Sequence, residues 1–136
     1  MKTISIDYGD KRTGLAVSDE SGRLAKRFRT LENKEDKVLI AEIQKILLEE
    51  KIAMVLVGVP VGLNAISDQT RKTDHFIMAL KRTINVPIES VNEMYTSKMA
   101  EKNLFDAGKR GTEIRDLVDQ EAARIILQEY LDKNVK

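Results

Sequence analysis

Six consecutive residues without a polar side chain, Ala53-Met54-Val55-Leu56-Val57-Gly58, constrain the fold of this chain more than any other segment. A strand with one face in water alternates apolar and polar residues. An unbroken apolar run that stops at Gly58 and Pro60 marks a central parallel strand covered on both faces. Such a strand needs crossover helices, and the flanks supply them. Residues 36–50 put Leu39, Ile43, Ile46 and Leu47 on one helical face. Ser67 is placed to cap a helix reaching residue 82, with Thr73, Phe76, Ile77, Leu80 and Ile84 inward. A strand is predicted near 86–91. A helix follows over 97–106, closed by Gly108 as a C′ glycine, and a last helix runs from about 118 to 132.

Upstream, Thr3-Ile4-Ser5-Ile6-Asp7-Tyr8-Gly9 reads as a short strand, Gly9-Asp10-Lys11-Arg12 as a turn, 13–19 as a second strand and 24–31 as a third. Three antiparallel strands leading into right-handed parallel crossovers predict an α/β fold. It has a mixed five-stranded sheet with helices on both faces. The 136 residues suit a single domain, 1–136, with one core. With 42% hydrophobic and 33% charged residues the composition is that of a globular chain, which excludes disorder. No apolar run approaches the ~18 residues of a membrane span. The start, Met-Lys-Thr-Ile-Ser-Ile-Asp, lacks an apolar signal core, so a cytoplasmic protein is expected. The chain has no cysteine, which excludes disulfides, thiolate zinc sites and cysteine nucleophiles.

Three acids fall at one edge of this predicted sheet. Asp7 ends the first strand, where an unpaired charge is costly. On the strand alone it reads as a turn aspartate accepting backbone hydrogen bonds, with a divalent cation as the other partner. Glu93 lies just after the fifth strand, in Ser90-Val91-Asn92-Glu93. Asp119 is expected in the first turn of the last helix, on one stripe with Ala123, Ile126 and Tyr130, so it continues the buried seam. Ligands gather beyond the C-terminal ends of parallel strands. Carboxylates clustered there without histidine or cysteine form a hard oxygen site suited to Mg²⁺ or Mn²⁺. Such sites serve two-metal phosphodiester hydrolysis, with ions ~4 Å apart. The only histidine, His75, falls mid-helix and is expected to be structural or on the surface.

The net charge of +1 makes the whole molecule a poor electrostatic partner for nucleic acid, so any contact must come from local clusters. Lys11 and Arg12 in the first turn, and Lys109, Arg110 and Arg115 ahead of Asp119, are the candidates. A second basic group is Arg23, Lys26, Arg27 and Arg29. Residues 108–116 are expected to be a mobile, partly basic loop. With three Tyr, three Phe and no Trp, an aromatic platform for base stacking is not expected.

Taken together, these segments resemble the YqgF (RuvX) family of Holliday-junction-resolvase-like proteins with a ribonuclease H-like fold. The resemblance spans nearly the whole chain. It is carried by Asp7-Tyr8-Gly9-Asp10-Lys11-Arg12-Thr13-Gly14-Leu15-Ala16-Val17-Ser18-Asp19, Val55-Leu56-Val57-Gly58-Val59-Pro60, Asn92-Glu93-Met94-Tyr95-Thr96-Ser97 and the closing helix from Val118-Asp119-Gln120-Glu121. The resemblance implies that Asp7, Glu93 and Asp119 are metal-binding catalytic acids of a cytoplasmic nuclease using Mg²⁺ or Mn²⁺. It implies action on the 5′ end of precursor 16S ribosomal RNA or, by analogy with resolvases, on branched DNA. Asn92, Met94 and Asp116-Leu117 depart from the family's usual Asp, Arg and Gly-Lys, and the lost positive charge implies weaker phosphate contact. Two rival readings are a non-catalytic nucleic-acid-binding or regulatory module on the same fold, and an actin-like kinase or ATPase. The second needs two such domains to clamp its nucleotide.

Overall fold

The computed structural model describes residues 1–33, 35–59, 68–93 and 96–134. Its elements run β1 (Thr3–Tyr8), β2 (Arg12–Ser18), β3 (Ala25–Glu32), α1 (Asp36–Glu49), β4 (Met54–Val59), α2 (Asp68–Thr83), β5 (Ile88–Asn92), α3 (Thr96–Asp106) and α4 (Thr112–Lys133). The sheet order is β3-β2-β1-β4-β5. β1–β2 and β2–β3 are antiparallel, whereas β1–β4 and β4–β5 are parallel. The predicted meander and crossovers are therefore present. The predicted cap Ser67, like Pro60 and Met94, lies outside the described residues.

Strand alternation sorts the core into two faces. Ile4 and Ile6 of β1, Leu15 of β2, and Val55 and Val57 of β4 turn to one face. There they pack with Leu39, Ile43, Ile46 and Leu47 of α1 and with Phe76, Ile77 and Leu80 of α2. The intervening Ala16 and Leu56 turn to the other face, against Ala123, Leu127 and Leu131 of α4. Both faces of β4 are thus sealed, and Val55, Leu56 and Val57 are fully buried. α3 packs on the outer side of α4 through Ala100, Ala122 and Ile125. His75 is exposed on α2.

One element differs from the reading above. α4 begins at Thr112, so residues 112–116 are helix and only a short link joins α3 to α4. The break is made by Gly108 at φ +90° and Gly111 at φ +49°, conformations that favour glycine. Glu113 in the first turn suits the positive end of the helix, and Val118 packs into the α3–α4 seam. Asp119 is accordingly the eighth residue of α4, counted from Thr112, and not part of its first turn.

Candidate active site

The position of Asp7 follows from strand parity. Ile4 and Ile6 face α1 and α2, so Ser5 and Asp7 face α4. Ser5, fully buried, donates its hydroxyl to the Ala123 carbonyl at 2.5 Å and ties β1 to α4. One helical turn before Ala123 stands Asp119, and two residues beyond Ser5 stands Asp7. The same antiparallel run of helix over strand therefore brings the second acid over the first.

Two glycines make room for this. Gly14 is the β2 partner of Asp7. A Cβ on Gly14 would lie 2.0 Å from the Asp119 carbonyl oxygen, so only glycine lets the backbone of α4 come so close to the sheet. Gly58 faces the same side of β4. A Cβ there would lie 2.3 Å from Glu93 Oε2 and 2.7 Å from Ile126 Cδ1. The Glu93 carboxyl occupies the space that a side chain at residue 58 would fill. Its backbone is fixed by an amide that donates to the Val59 carbonyl at 3.0 Å. β1 and β4 run parallel with Ile6 beside Val57, which sets Asp7 level with Gly58 and hence with the Glu93 carboxyl.

The electrostatics are those of acids pressed together. The Asp7 and Glu93 carboxyls are hydrogen-bond neighbours. Burial lifts Asp7 to about 6; its contact with Glu93 opposes the rise and the charge of Asp119 adds to it. Burial lifts Glu93 to about 9, with the charge of Asp7 next in weight. Burial and mutual repulsion both favour a proton held between the two carboxyls. Asp119 is also raised by burial, and the Arg12 guanidinium opposes it from 3.5 Å, Nε to Oδ2. Glu93 Oε2 is buried with no hydrogen-bond partner. A buried carboxylate oxygen without a donor is a costly feature that a proton or a cation relieves. Hard carboxylate oxygen donors, one of them orphaned, fit Mg²⁺ or Mn²⁺. Among the described residues, no group of three or more acids or histidines stands ready to hold an ion as the side chains lie. Asp7 and Glu93 are paired, while Asp119 is turned to Arg12.

The hairpin beneath the acids is held rigidly. The Tyr8 hydroxyl donates to Asp36 at 2.6 Å, its ring stacks on Phe76 at 4.3 Å, and Gln69 donates to the Tyr8 carbonyl at 2.9 Å. Asn33 donates to the Gly9 carbonyl and accepts from the Thr13 hydroxyl.

The five basic candidates separate into two groups. Lys11, Arg12 and Arg115 line one depression of about 480 Å³ with Asp10, Glu32 and Asn33. Lys109 and Arg110 lie at the α3–α4 corner instead. Lys109 pairs with Glu113 at 3.7 Å, while Arg110 donates to the Phe105 and Lys109 carbonyls and stacks over the Phe105 ring at 3.9 Å. The other basic group lies on or beside the edge strand β3, where Arg27 reaches towards buried Glu121 and Arg29 covers Phe28. The sequence reading missed Gly14 as a determinant of the site, although a glycine inside a strand pattern signals a close backbone approach.

A family described as RuvX, Holliday junction resolvase, matches residues 1–133. A protein of Maridesulfovibrio salexigens with the provisional name pre-16S rRNA nuclease is 33% identical over 132 residues, covering 96% of this chain and 98% of its own length. A relative of the same name from Nitratidesulfovibrio vulgaris is 37% identical over 135 residues, covering 97% of this chain and 94% of its own. Among solved structures, the fowlpox virus resolvase bound to Holliday junction DNA aligns at TM-score 0.58 and 16% identity, covering 100% of both chains. RuvC of Thermus thermophilus aligns at TM-score 0.58 and 15% identity, covering 98% of this chain and 95% of its own. At those identities the likeness speaks to the fold alone, which is ribonuclease H-like. The family match and the near full-length relatives together show that this chain belongs to the RuvX family.

Proposed function

We propose that the chain is a single nuclease domain that hydrolyses phosphodiester bonds with the help of Mg²⁺ or Mn²⁺ and matures the 5′ end of precursor 16S ribosomal RNA in the cytoplasm. The observation that carries the proposal is the orphaned, buried Glu93 Oε2 against Asp7, with Asp119 brought over the same point by Gly14. Asp7, Glu93 and Asp119 are the residues that would hold the cation. When bound, divalent metal supplies activation of water and stabilisation of the leaving oxygen. Asp7 and Glu93 must release their shared proton as they become ligands. Lys11 and Arg115, on the rim of the depression, would hold the phosphate backbone across the acids by charge, with Arg12 beside them. The names of the relatives support RNA as the substrate. The family description favours a second reading, cleavage of branched DNA.

The test is a side-by-side cleavage assay on precursor 16S RNA, single-stranded RNA and four-way DNA junctions with added Mn²⁺ or Mg²⁺. Metal-dependent cutting of the precursor is expected, and Asp7→Asn should lower it by more than ~100-fold with the fold intact. Preference for the junction selects the second reading. Binding without cutting on any substrate leaves a non-catalytic module.

A further inference from the structure

Asp119 lies near enough to Asp7 to raise its pKa, yet its own carboxylate is paired with a cation supplied by the protein itself. Arg12 opens β2, directly after the turn, and its Nε lies 3.5 Å from Asp119 Oδ2. The backbone of Asp119 is held against Gly14 and has no room to shift towards the sheet. Whether Asp119 can join a third-party cation is therefore decided by side-chain torsions and by Arg12. The same Arg12 lines the depression shared with Lys11 and Arg115, so its guanidinium stands on the border between the acids and the surface where a phosphate backbone would lie. A guanidinium pairs well with carboxylate and with phosphate, and it cannot lose its charge to escape either. Arg12 and a divalent cation cannot both sit on one carboxylate without repulsion.

We infer that Arg12 is a positioning residue that holds Asp119 out of the metal-binding set in the free protein and hands it over when a nucleic-acid phosphate takes the guanidinium. This rests on the reading of the three acids as a metal site. Its consequence is that metal and nucleic acid strengthen each other's binding, reciprocally, because each removes the competitor of the other. The free protein would then lack a complete set of ligands, in keeping with the absence of a ready three-acid group among the described residues.

The experiment is a calorimetric titration of the full chain with Mn²⁺, without nucleic acid, in wild type, Arg12→Ala, Arg12→Lys and Arg12→Ala with Asp119→Asn. Removing the guanidinium should tighten Mn²⁺ by roughly fivefold, the scale of a half-exposed ion pair. Arg12→Lys keeps the charge and should keep the wild-type affinity. Adding Asp119→Asn should cancel the gain. With Ca²⁺ as the probe ion and a short RNA, each should tighten the other in wild type, and Arg12→Ala should lose that coupling. Equal Mn²⁺ affinity in wild type and Arg12→Ala, with binding intact in both, overturns the inference and leaves the metal site standing. No Mn²⁺ binding in any variant overturns both, beginning with the metal site.

Discussion

The face of the sheet under α1 and α2 is packed with large apolar side chains, Ile4, Ile6, Leu15 and Phe76 among them, all fully buried. The face under α4 sets the small residues Ala16, Ala25, Ala123, Ser5 and Gly14 beside Leu56, Leu127 and Leu131, with a hydroxyl bonded across the seam. Large residues fill volume and supply burial energy, whereas small ones let backbones approach. The same five strands therefore serve two ends. One face holds the chain folded, and the other trades apolar volume for closeness and uses it to bring carboxylates together against their mutual repulsion.

Substitutions at equivalent depth should separate the two faces. Phe76→Ala removes a fully buried ring stacked on Tyr8 and should cost about 3–5 kcal/mol in urea denaturation. Gly14→Ala should cost less, about 1–3 kcal/mol from overpacking against the α4 backbone. Even so, it should cut cleavage by ~100-fold through displacement of Asp119. A mild Phe76→Ala, or a Gly14→Ala that keeps full activity, breaks the division of labour.

Much of this was legible in the sequence. The all-apolar run of β4 and the helical stripes of α1 and α2 fixed the layers, because burial on one or two faces writes itself as periodicity. Asp119 was legible as a continuation of the Ala123–Ile126 stripe. The start of α4 was not, because Gly108, Gly111 and a basic stretch look like loop, while the packing that extends the helix to Thr112 is tertiary. The pairing of Arg12 with Asp119 was equally hidden, since residues 107 positions apart meet only once Gly14 has let the helix in. Nor could composition tell that Arg110 is spent on Phe105 while Arg115 reaches the depression.

A pH series gives the next largest effect. Asp7 and Glu93 are raised in the folded chain, to about 6 and about 9, from the ordinary 3.8 and 4.5. The folded state thus binds more protons than the unfolded one, so stability falls as pH rises. The metal-free chain should have its full stability from this pair below pH 4. It should lose that contribution progressively through pH 6 and on to pH 9. Thermal melting from pH 5 to 9 should show the decline in wild type and a flatter curve in Glu93→Gln. Phe76→Ala should melt lower with an unchanged slope. A decline that persists undiminished in Glu93→Gln would place its origin elsewhere.

The smallest effect distinguishes the two basic groups. Lys11→Ala with Arg115→Ala should lower the salt slope of RNA binding by about 2, one for each phosphate contact. Lys109→Ala with Arg110→Ala should leave the slope near wild type, because those side chains are engaged at the α3–α4 corner. Equal losses in both double variants would extend the interface to that corner.

The convergence of Asp7, Glu93 and Asp119 on one cation is tested most directly by melting the metal-free protein with increasing Mn²⁺. Binding to the folded state alone should raise stability by ~2.7 kcal/mol at a hundredfold excess over the dissociation constant. The same rise should be absent from Asp7→Asn, while Asp119→Asn should change it little as long as Arg12 is present and should cancel the further rise expected in Arg12→Ala. A melting temperature that ignores Mn²⁺ up to millimolar concentration in the wild type, or that rises equally in Asp7→Asn, contradicts a metal site built from these three acids.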